Sequence, residues 1–568
     1  MSLLGALNLG SSSLQAQQIG LQVTGNNIAN AGTPGYTRET VNLTPSGPEQ
    51  ISPGQYVGTG VTVQGVERQV SEAINASLRD ATSAQSGAQT LSDTLTSIET
   101  TFGSLNSNDL SSQLSTFFNN FSTLANNPQD SGQRSVVIQG GVTLSNYVQG
   151  LQGQLLQLHN NVQSQITTQA TEANSLTQTI AKLNGQIAAT GAGPGGANTL
   201  LDQRDSALNQ LSQIMDIQTL QQGNGQMTVL VGGQPLVQGT TSRGITTVQT
   251  TDATGTLGVS KLTFADSGDA MNVTGGTLGG LIDARDNYVD NAMTTLDNFA
   301  HGLIDTVNSI HTQGQGLTGF SSVTGTTQVA DPTAALNTAA AGLEYTPVNG
   351  TFNFYTTDMT TGQTTTQQIA VNLSGTGTQT TLQSLAASLT GGNITASVDS
   401  QGHLQIKSNS SNTQFSFSDD TSGTLASLGI NTFFTGSNAG SIAVNNTLLQ
   451  NANLLASGRG NTAGSNQNAQ ALALGYSAGN SLLGGQSLQN YYANYIGDLA
   501  SKTKTALDDA TAKSAIQSSL TAQQQSYSGV NMDEEAINLT TYQRAFEGTA
   551  RYITVVDQMM QTVLGLIQ

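Results

Sequence analysis

The most regular apolar pattern in the chain lies at its C-terminal end. From Leu539, the positions Leu539, Tyr542, Phe546, Thr549, Ile553, Val556, Met560, Val563 and Ile567 advance in alternating steps of three and four, the a/d spacing of a helical seam. All but Thr549 are largely apolar. Asn531 stands where an N-cap belongs, with Glu534 three residues on as its capping-box partner, and Asp533, Glu534 and Glu535 place negative charge at the positive end of the helix dipole. The pattern predicts one helix of about 35 residues, roughly 50 Å long, whose narrow apolar face needs a partner. At the other end Leu7, Leu14, Leu21 and Ile28 recur at strict sevens, flanked by Leu3, Leu4, Ile19 and Val23, while Ser11, Gln18 and Gly25 fill the d-like positions between. That helix is expected to order only against others, and to end at Gly32-Thr33-Pro34-Gly35, because Pro34 disfavours helix at Thr33 and the glycines permit a tight turn. A seam at each terminus predicts that the two ends pack together.

Between the ends the period changes several times. Short alternating segments such as Gly60-Val61-Thr62-Val63 within 41–69 suggest an extended or hairpin connector. Helical spacing then runs through Val66, Val70, Ile74 and Leu78, through Leu91, Leu95, Ile98 and Phe102, and through Leu110, Leu114, Phe117, Phe121 and Leu124, with Asn108 or Asp109 as a cap. A long helix is predicted from about Ser135 to Ile187, its seam interrupted at Gln165 and Gln169, ending before the exposed glycine loop 191–196. A short helix through Leu200 to Leu211 precedes strands such as 227–231, and helix returns over Leu278 to Ile310. The Thr-, Ser-, Gly- and Asn-rich stretch from 320 to 450 reads as strands at 351–355, 368–373, 394–398, 404–407 and 414–417 with one helix at 382–389. Helical pattern resumes near Asn468, with Tyr491, Tyr492, Tyr495, Ile496 and Leu499 leading into Ala506 and the final seam.

Two of these stretches carry a resemblance. The run Asn26-Asn27-Ile28-Ala29-Asn30-Ala31-Gly32-Thr33-Pro34-Gly35-Tyr36-Thr37-Arg38 resembles the N-terminal motif of the axial proteins of the bacterial flagellum, the rod, hook and hook-associated proteins. Ser528 to Ala536, with Tyr542-Gln543-Arg544-Ala545-Phe546 and Ala550-Arg551, is similar to the C-terminal motif of the same class. The Asp533-Glu534-Glu535-Ala536 version resembles the hook-associated protein 1 family, the first junction between hook and filament. Leu200 to Asp205, Gly279 to Asp286 and Asn308 to Gly319 resemble internal motifs of that family. The resemblance singles out Asn26, Asn27, Asn30, Pro34, Gly35 and Tyr36 at one end and Asp533, Glu534 and Glu535 at the other.

Composition narrows the remaining chemistry. Of 568 residues only 9% are charged, yet the net charge is −19, so phosphate-bearing partners are repelled and neither nucleic-acid nor anionic-membrane binding is expected; without a long apolar run no membrane insertion is expected either. Cys is absent, which excludes disulfides, thiolate catalysis and Cys-ligated zinc. No basic n-region with an apolar core opens the chain, and no apolar run approaches 18 residues, so export, if it occurs, is expected without a cleaved signal peptide. His159, His301, His311 and His403 lie far apart without metal-ligand spacing. The acidic groups Asp202 with Asp205, and Asp283 with Asp286 and Asp290, share helix faces with Arg204 and Arg285 and read as ion-paired surfaces. Asp419-Asp420 reads as a turn. The 191–196 loop lacks the Lys-Ser/Thr ending of a phosphate loop, and no serine sits in a Gly-x-Ser-x-Gly elbow. No catalytic residue, cofactor or metal is expected.

The expected fold is multidomain α plus β. Residues 1–65 and 505–568 form an inner domain of paired, coiled-coil-like terminal helices. Residues 66–320 and 450–504 form a mainly helical central domain with a β-rich segment near 214–275, and 321–449 an inserted β-rich or α+β outer domain. The resemblance implies a structural, secreted component of the flagellum that allows filament assembly. It further implies type III export, self-association in a ring, hook protein below, the second junction protein above, and an export chaperone before assembly. Flagellin or hook protein is the alternative within the class. A secreted adhesin or carbohydrate-binding protein is the alternative outside it, disfavoured by the absence of Trp.

Overall fold

The computed structural model describes residues 2–103, 109–190, 196–251, 258–460, 462 and 464–566. In chain order the elements are α1 (Leu3–Asn30), β1 (Glu39–Pro45), β2 (Glu49–Ser52), β3 (Gln55–Val57), β4 (Val61–Arg68), α2 (Glu72–Phe102), α3 (Leu110–Asn126), α4 (Ser131–Ala189) and α5 (Asn198–Ile214). There follow β5 (Gln218–Gln221), β6 (Met227–Val231), β7 (Gln234–Gln238), β8 (Thr241–Ser242), β9 (Ile245–Thr251), β10 (Gly258–Phe264), α6 (Gly276–Asp283), a π-helical turn (Ala284–Val289) and α7 (Asp290–His311). The second half holds β11 (Ser322–Thr324), β12 (Gly350–Asp358), β13 (Thr364–Val371), α8 (Leu382–Leu389), β14 (Ile394–Val398), β15 (Leu404–Ser408), β16 (Thr413–Ser418) and α9 (Thr424–Ser427). It closes with β17 (Phe434–Thr435), β18 (Ala443–Val444), α10 (Asn446–Gln450), α11 (Gln467–Leu474), α12 (Leu488–Ser528) and α13 (Met532–Gly565). The chain is multidomain α plus β, and among the described residues every strand pair is antiparallel.

One compact unit comprises residues 1–94, 161–285 and 504–568. Its terminal part pairs α1 with α13, and β1 with β4 around the smaller β2–β3 hairpin. Val66, counted above with a helix, instead pairs with Val41 in that ladder, and α2 starts only at Glu72. The rest holds α5, α6 and parts of α2, α4 and α12 beside a four-stranded sheet β5-β6-β7-β8 and a β9–β10 pair, with Met227, Val229, Leu236, Val237, Leu262 and Phe264 buried. Along α4 the buried face steps through Val162, Ile166, Ala170 and Ala173. Gln165 and Gln169 lie off that face, so they do not interrupt the seam.

The other unit comprises residues 95–160 and 286–503. Asp109 caps α3 by accepting from Ser112 N at 2.9 Å; Asn108 and loop positions 191–195 lie outside the described residues. Phe117 and Phe121 of α3 meet Phe433 at centroid distances of 5.4 and 5.8 Å. In the segment 320–450 the sheets run β13-β12-β16 and β11-β15-β14, with Phe352, Phe354, Phe415 and Phe417 buried against one another across β12 and β16. The turn at Asp419-Asp420 has φ +53° at Asp419, and Asp420 accepts from Leu425 N at 2.9 Å to start α9. The end of α7 is a polar hub. Asn308, 5% exposed, donates to Phe434 O and accepts from the Phe433 and Phe434 amides, each at 2.9 Å. His311 receives Ala456 N on Nε2 at 3.0 Å, so its Nδ1 proton donates to Asn431 O at 2.7 Å.

Candidate assembly interface at the chain termini

The two terminal motifs, some five hundred residues apart in sequence, meet in one polar clasp. Its geometry starts with a turn. Tyr36 N donates to Thr33 O at 3.2 Å, with Pro34 and then Gly35 at φ +81° in the two central positions, where a type II turn needs proline and a residue tolerating positive φ. The turn brings Tyr36 back onto α1, where its hydroxyl donates to Asn27 Oδ1 at 2.8 Å. Burial, and then the negative charges of Glu39, Asp202 and Glu535, raise the Tyr36 pKa, which keeps that phenol a donor.

Asn27 is 1% exposed and uses all four of its hydrogen-bonding positions. Its Oδ1 also accepts from Glu39 N at 3.0 Å, and its Nδ2 donates to Glu39 O at 2.9 Å and to Glu535 Oε2 at 3.2 Å. Glu535, 2% exposed, takes Arg38 Nε on its other oxygen at 2.8 Å. Arg38 Nη1 lies 2.9 Å from Glu534, and Arg38 N donates to Ser528 O at 2.9 Å, at the end of α12. Asn531 caps α13 by accepting from the Asp533 and Glu534 amides. The Glu534 carboxylate, expected to close a capping box, is drawn to Arg38 instead. The surrounding motif is wetter. Asn26 donates to the Tyr36 hydroxyl at 3.3 Å, Asn30 donates to Asn26 Oδ1 at 2.9 Å, and Pro34 and Asp533 are exposed.

From the clasp the helices run antiparallel, with position 27 beside 535, 20 beside 542 and 10 beside 553. The deepest line of α1 is Gly10, Ala16, Gly20, Val23, Thr24 and Asn27. A Cβ at Gly20 would stand 2.6 Å from the Tyr542 ring, and one at Gly10 2.6 Å from Ile553 Cγ1. Leu7, Leu14, Leu21 and Ile28 are half-buried flanks of this line. The small residues let the backbones approach, so the line of closest contact is not the most apolar one; small residues recurring at steps of three and four were the signal to follow. On α13, Val556 is buried and Leu539, Tyr542, Phe546, Thr549, Ile553 and Met560 are half-buried. Val563 is exposed, because in this register α1 begins opposite Met560. Ile567 lies outside the described residues. A further apolar line, Tyr552, Val555 and Met559 on α13, running on through Val563 of the seam to Leu566 at the C-cap, is exposed.

The clasp joins a further charged cluster within the same unit. Asn198 Nδ2 donates to Glu39 Oε1 at 2.9 Å, and Thr37 N approaches Asp202 Oδ2 at 3.4 Å. Arg68 pairs with Asp202 at 2.9 Å and with Asp205. Burial raises the Asp202 pKa, opposed by Arg68. Arg204, expected to serve these aspartates, is 2% exposed and donates to Gly225 O at 2.7 Å. Arg285, also 2% exposed, donates to Ser260 O at 2.9 Å, while Asp290 pairs with His159 at 2.8 Å. These are interior contacts and not surfaces. Sequence periodicity ranks apolar residues, so it passed over Arg38, Arg68, Glu39 and Asn198. Arg38 nonetheless carries a signal: no Asp, Glu, Lys or Arg precedes it. Among the described residues no three His, Asp or Glu side chains group so as to hold a metal ion, and no helix is long and apolar enough to cross a membrane.

Three family profiles match the chain. Residues 7–37 match the flagella basal body rod protein family, 95–327 the flagellar hook-associated protein FlgK helical domain, and 522–566 the flagellar basal body rod FlgEFG protein C-terminal family. Flagellar hook-associated protein 1 of Escherichia coli strain K12 is 27% identical over 584 residues, covering 99% of both chains. That of Salmonella typhimurium is 28% identical over 588 residues, again covering 99% of both. That of Bacillus subtilis is 31% identical over 211 residues, covering 36% of this chain and 41% of its own. The flagellar hook junction protein FlgK of Burkholderia pseudomallei shares the fold, with a TM-score of 0.50 at 18% identity, covering 79% of this chain and all of that one. With both end motifs joined in the clasp, the chain is similar along nearly its whole length to flagellar hook-associated protein 1.

Proposed function

We propose that this chain is a structural subunit of the junction between flagellar hook and filament, held there by its terminal helices. The observation that carries the reading is the α1–α13 pair. The two end motifs close it with a buried polar clasp, and α13 keeps a further apolar line, from Tyr552, Val555 and Met559 through Val563 of the seam to Leu566 at the C-cap, open to solvent. Such a stripe on a long exposed helix suits helical neighbours in an axial assembly. The half-buried Leu7, Leu14, Leu21 and Ile28 border the same pair and offer a further edge.

In this reading residues 1–65 and 505–568 form the inner layer, 66–320 and 450–504 the middle, and 321–449 the outer domain. Subunits assemble as a ring, with hook protein below and the second junction protein above. Before assembly the chain travels through the flagellar type III apparatus with an export chaperone on its C-terminal segment. Its role is mechanical, adapting a flexible hook to a stiff filament, and no catalytic step is assigned to it. The test is deletion of the gene in its host, viewed by electron microscopy. Hooks without filaments, with flagellin lost to the medium, support the reading; filaments of normal length overturn it.

A further inference from the structure

We infer that Asn27 and Glu535 determine the register of α1 on α13, and that the apolar seam beside them supplies adhesion that is indifferent to register. The seam itself discriminates poorly. In the observed register Gly10 faces Ile553 and Gly20 faces Tyr542. A slip of one heptad towards the start of α13 would set Phe546, apolar like Ile553, against Gly10. Sevenfold spacing on α1 makes the flanking contacts of Leu7, Leu14, Leu21 and Ile28 repeat under the same slip. No charged residue on α1 opposes the shift, since none occurs before Arg38.

The clasp behaves differently. Glu535 is 2% exposed and its two oxygens are taken by Asn27 and Arg38 at 3.2 and 2.8 Å. Asn27 is in turn fully satisfied only with Glu535, Glu39 and Tyr36 around it. After a heptad slip Glu535 would lie against Gly20 with its charge buried and its Asn27 partner gone, which a carboxylate does not tolerate. A single buried polar contact in an otherwise permissive seam is the arrangement that selects one alignment at some cost in adhesion. The backbone bond from Arg38 N to Ser528 O at 2.9 Å anchors the same end.

Because the chain has no cysteine, engineered pairs report the register directly. Interpolating between 10 beside 553 and 20 beside 542 sets Ser13 beside Thr549. Ser13→Cys with Thr549→Cys reads the observed register, and Ser13→Cys with Tyr542→Cys reads the heptad slip that sets Glu535 against Gly20. In the full-length, otherwise unaltered monomer, the first pair should oxidise to an intramolecular disulfide at least about tenfold faster than the second. With Asn27→Leu and Glu535→Leu added, helical circular dichroism should be retained while the two pairs come within about threefold of each other. Undiminished preference for the first pair overturns the inference. So does loss of helical signal together with both cross-links, since the clasp would then stabilise the pair without choosing its alignment. The readout is on the monomer in solution, so its failure leaves the junction role standing, and failure of the deletion test leaves the register result standing.

Discussion

Helices α7 and α13 differ in how they are held. Twelve of the 22 residues of α7 are buried, whereas α13 buries two of 34, Glu535 and Val556. The first therefore has its partners within the chain, as the ring contacts of Phe299 with Tyr492 at 6.1 Å and the saturated Asn308 and His311 side chains show. The second touches α1 along one narrow line and leaves an apolar stripe uncovered. Helix stability in proteins comes mainly from packing of the apolar face, so α7 is part of a core, whereas α13 is a surface for partners only in the function proposed above.

The largest expected effect breaks this comparison if it fails. Phe299→Ala or Phe433→Ala removes a ring that is at most 2% exposed, and should lower the unfolding free energy of the unit containing α7 by about 3–5 kcal/mol. Phe546→Asp or Ile553→Asp should leave that denaturant transition where it is and still block incorporation into flagella. An equal loss from the α13 variants would make α13 core. In the same vein the chain ends should be cut by protease in the monomer well before the unit holding α7.

Next comes the pH dependence of the hub. Burial lowers the His311 pKa from 6.5 to about 4, with Arg134 acting in the same direction and the Asn431 bond against it. Since the unfolded state takes up the proton first, the contribution of neutral His311 is complete above pH 6.5. It falls as pH drops from 6.5 towards 4 and changes no further below. Relative to His311→Gln, the wild-type unit should lose about 3 kcal/mol across that window, as followed by denaturant melts at several pH values.

Smaller effects sharpen the comparison on the α13 side. Asn531→Ala removes the cap that accepts from Asp533 N at 3.0 Å and from Glu534 N at 3.4 Å. It should cost about 1 kcal/mol, seen as faster amide exchange confined to the first turns of α13. Smallest is Lys504→Ala on α12, where the pair with Asp508 at 2.9 Å lies between side chains 72% and 64% exposed. Its loss should stay below about 0.5 kcal/mol in thermal unfolding.

Regions with a single environment were legible from sequence. The helix 382–389 and the strands 227–231 and 394–398 appear with those bounds because alternation or helical spacing there is undiluted and turn residues mark the ends. The seam of α13 was legible from Leu539 to Met560 for the same reason. Val66 was misplaced because a strand with one buried face and a helix start share apolar residues four apart. The face of α1 was misplaced because hydrophobic periodicity gives no weight to Gly10, Ala16 and Gly20, whose value is their lack of bulk.

By itself the amino-acid sequence determined the two terminal helices, the Asn531 cap, the Pro34-Gly35 turn, the strands within 320–450 and the resemblance to flagellar hook-associated protein 1. These depend on local spacing, on proline and glycine geometry and on motifs read along the chain. Only the tertiary structure decided that Asn27, Tyr36 and Arg38 close on Glu535, and that glycines line the groove under Tyr542 and Ile553. It also decided that Arg68, not Arg204, serves Asp202 and Asp205. Hydrogen bonds and ion pairs between distant segments are set by where folding brings the chain together, and spacing along the sequence carries no record of that distance.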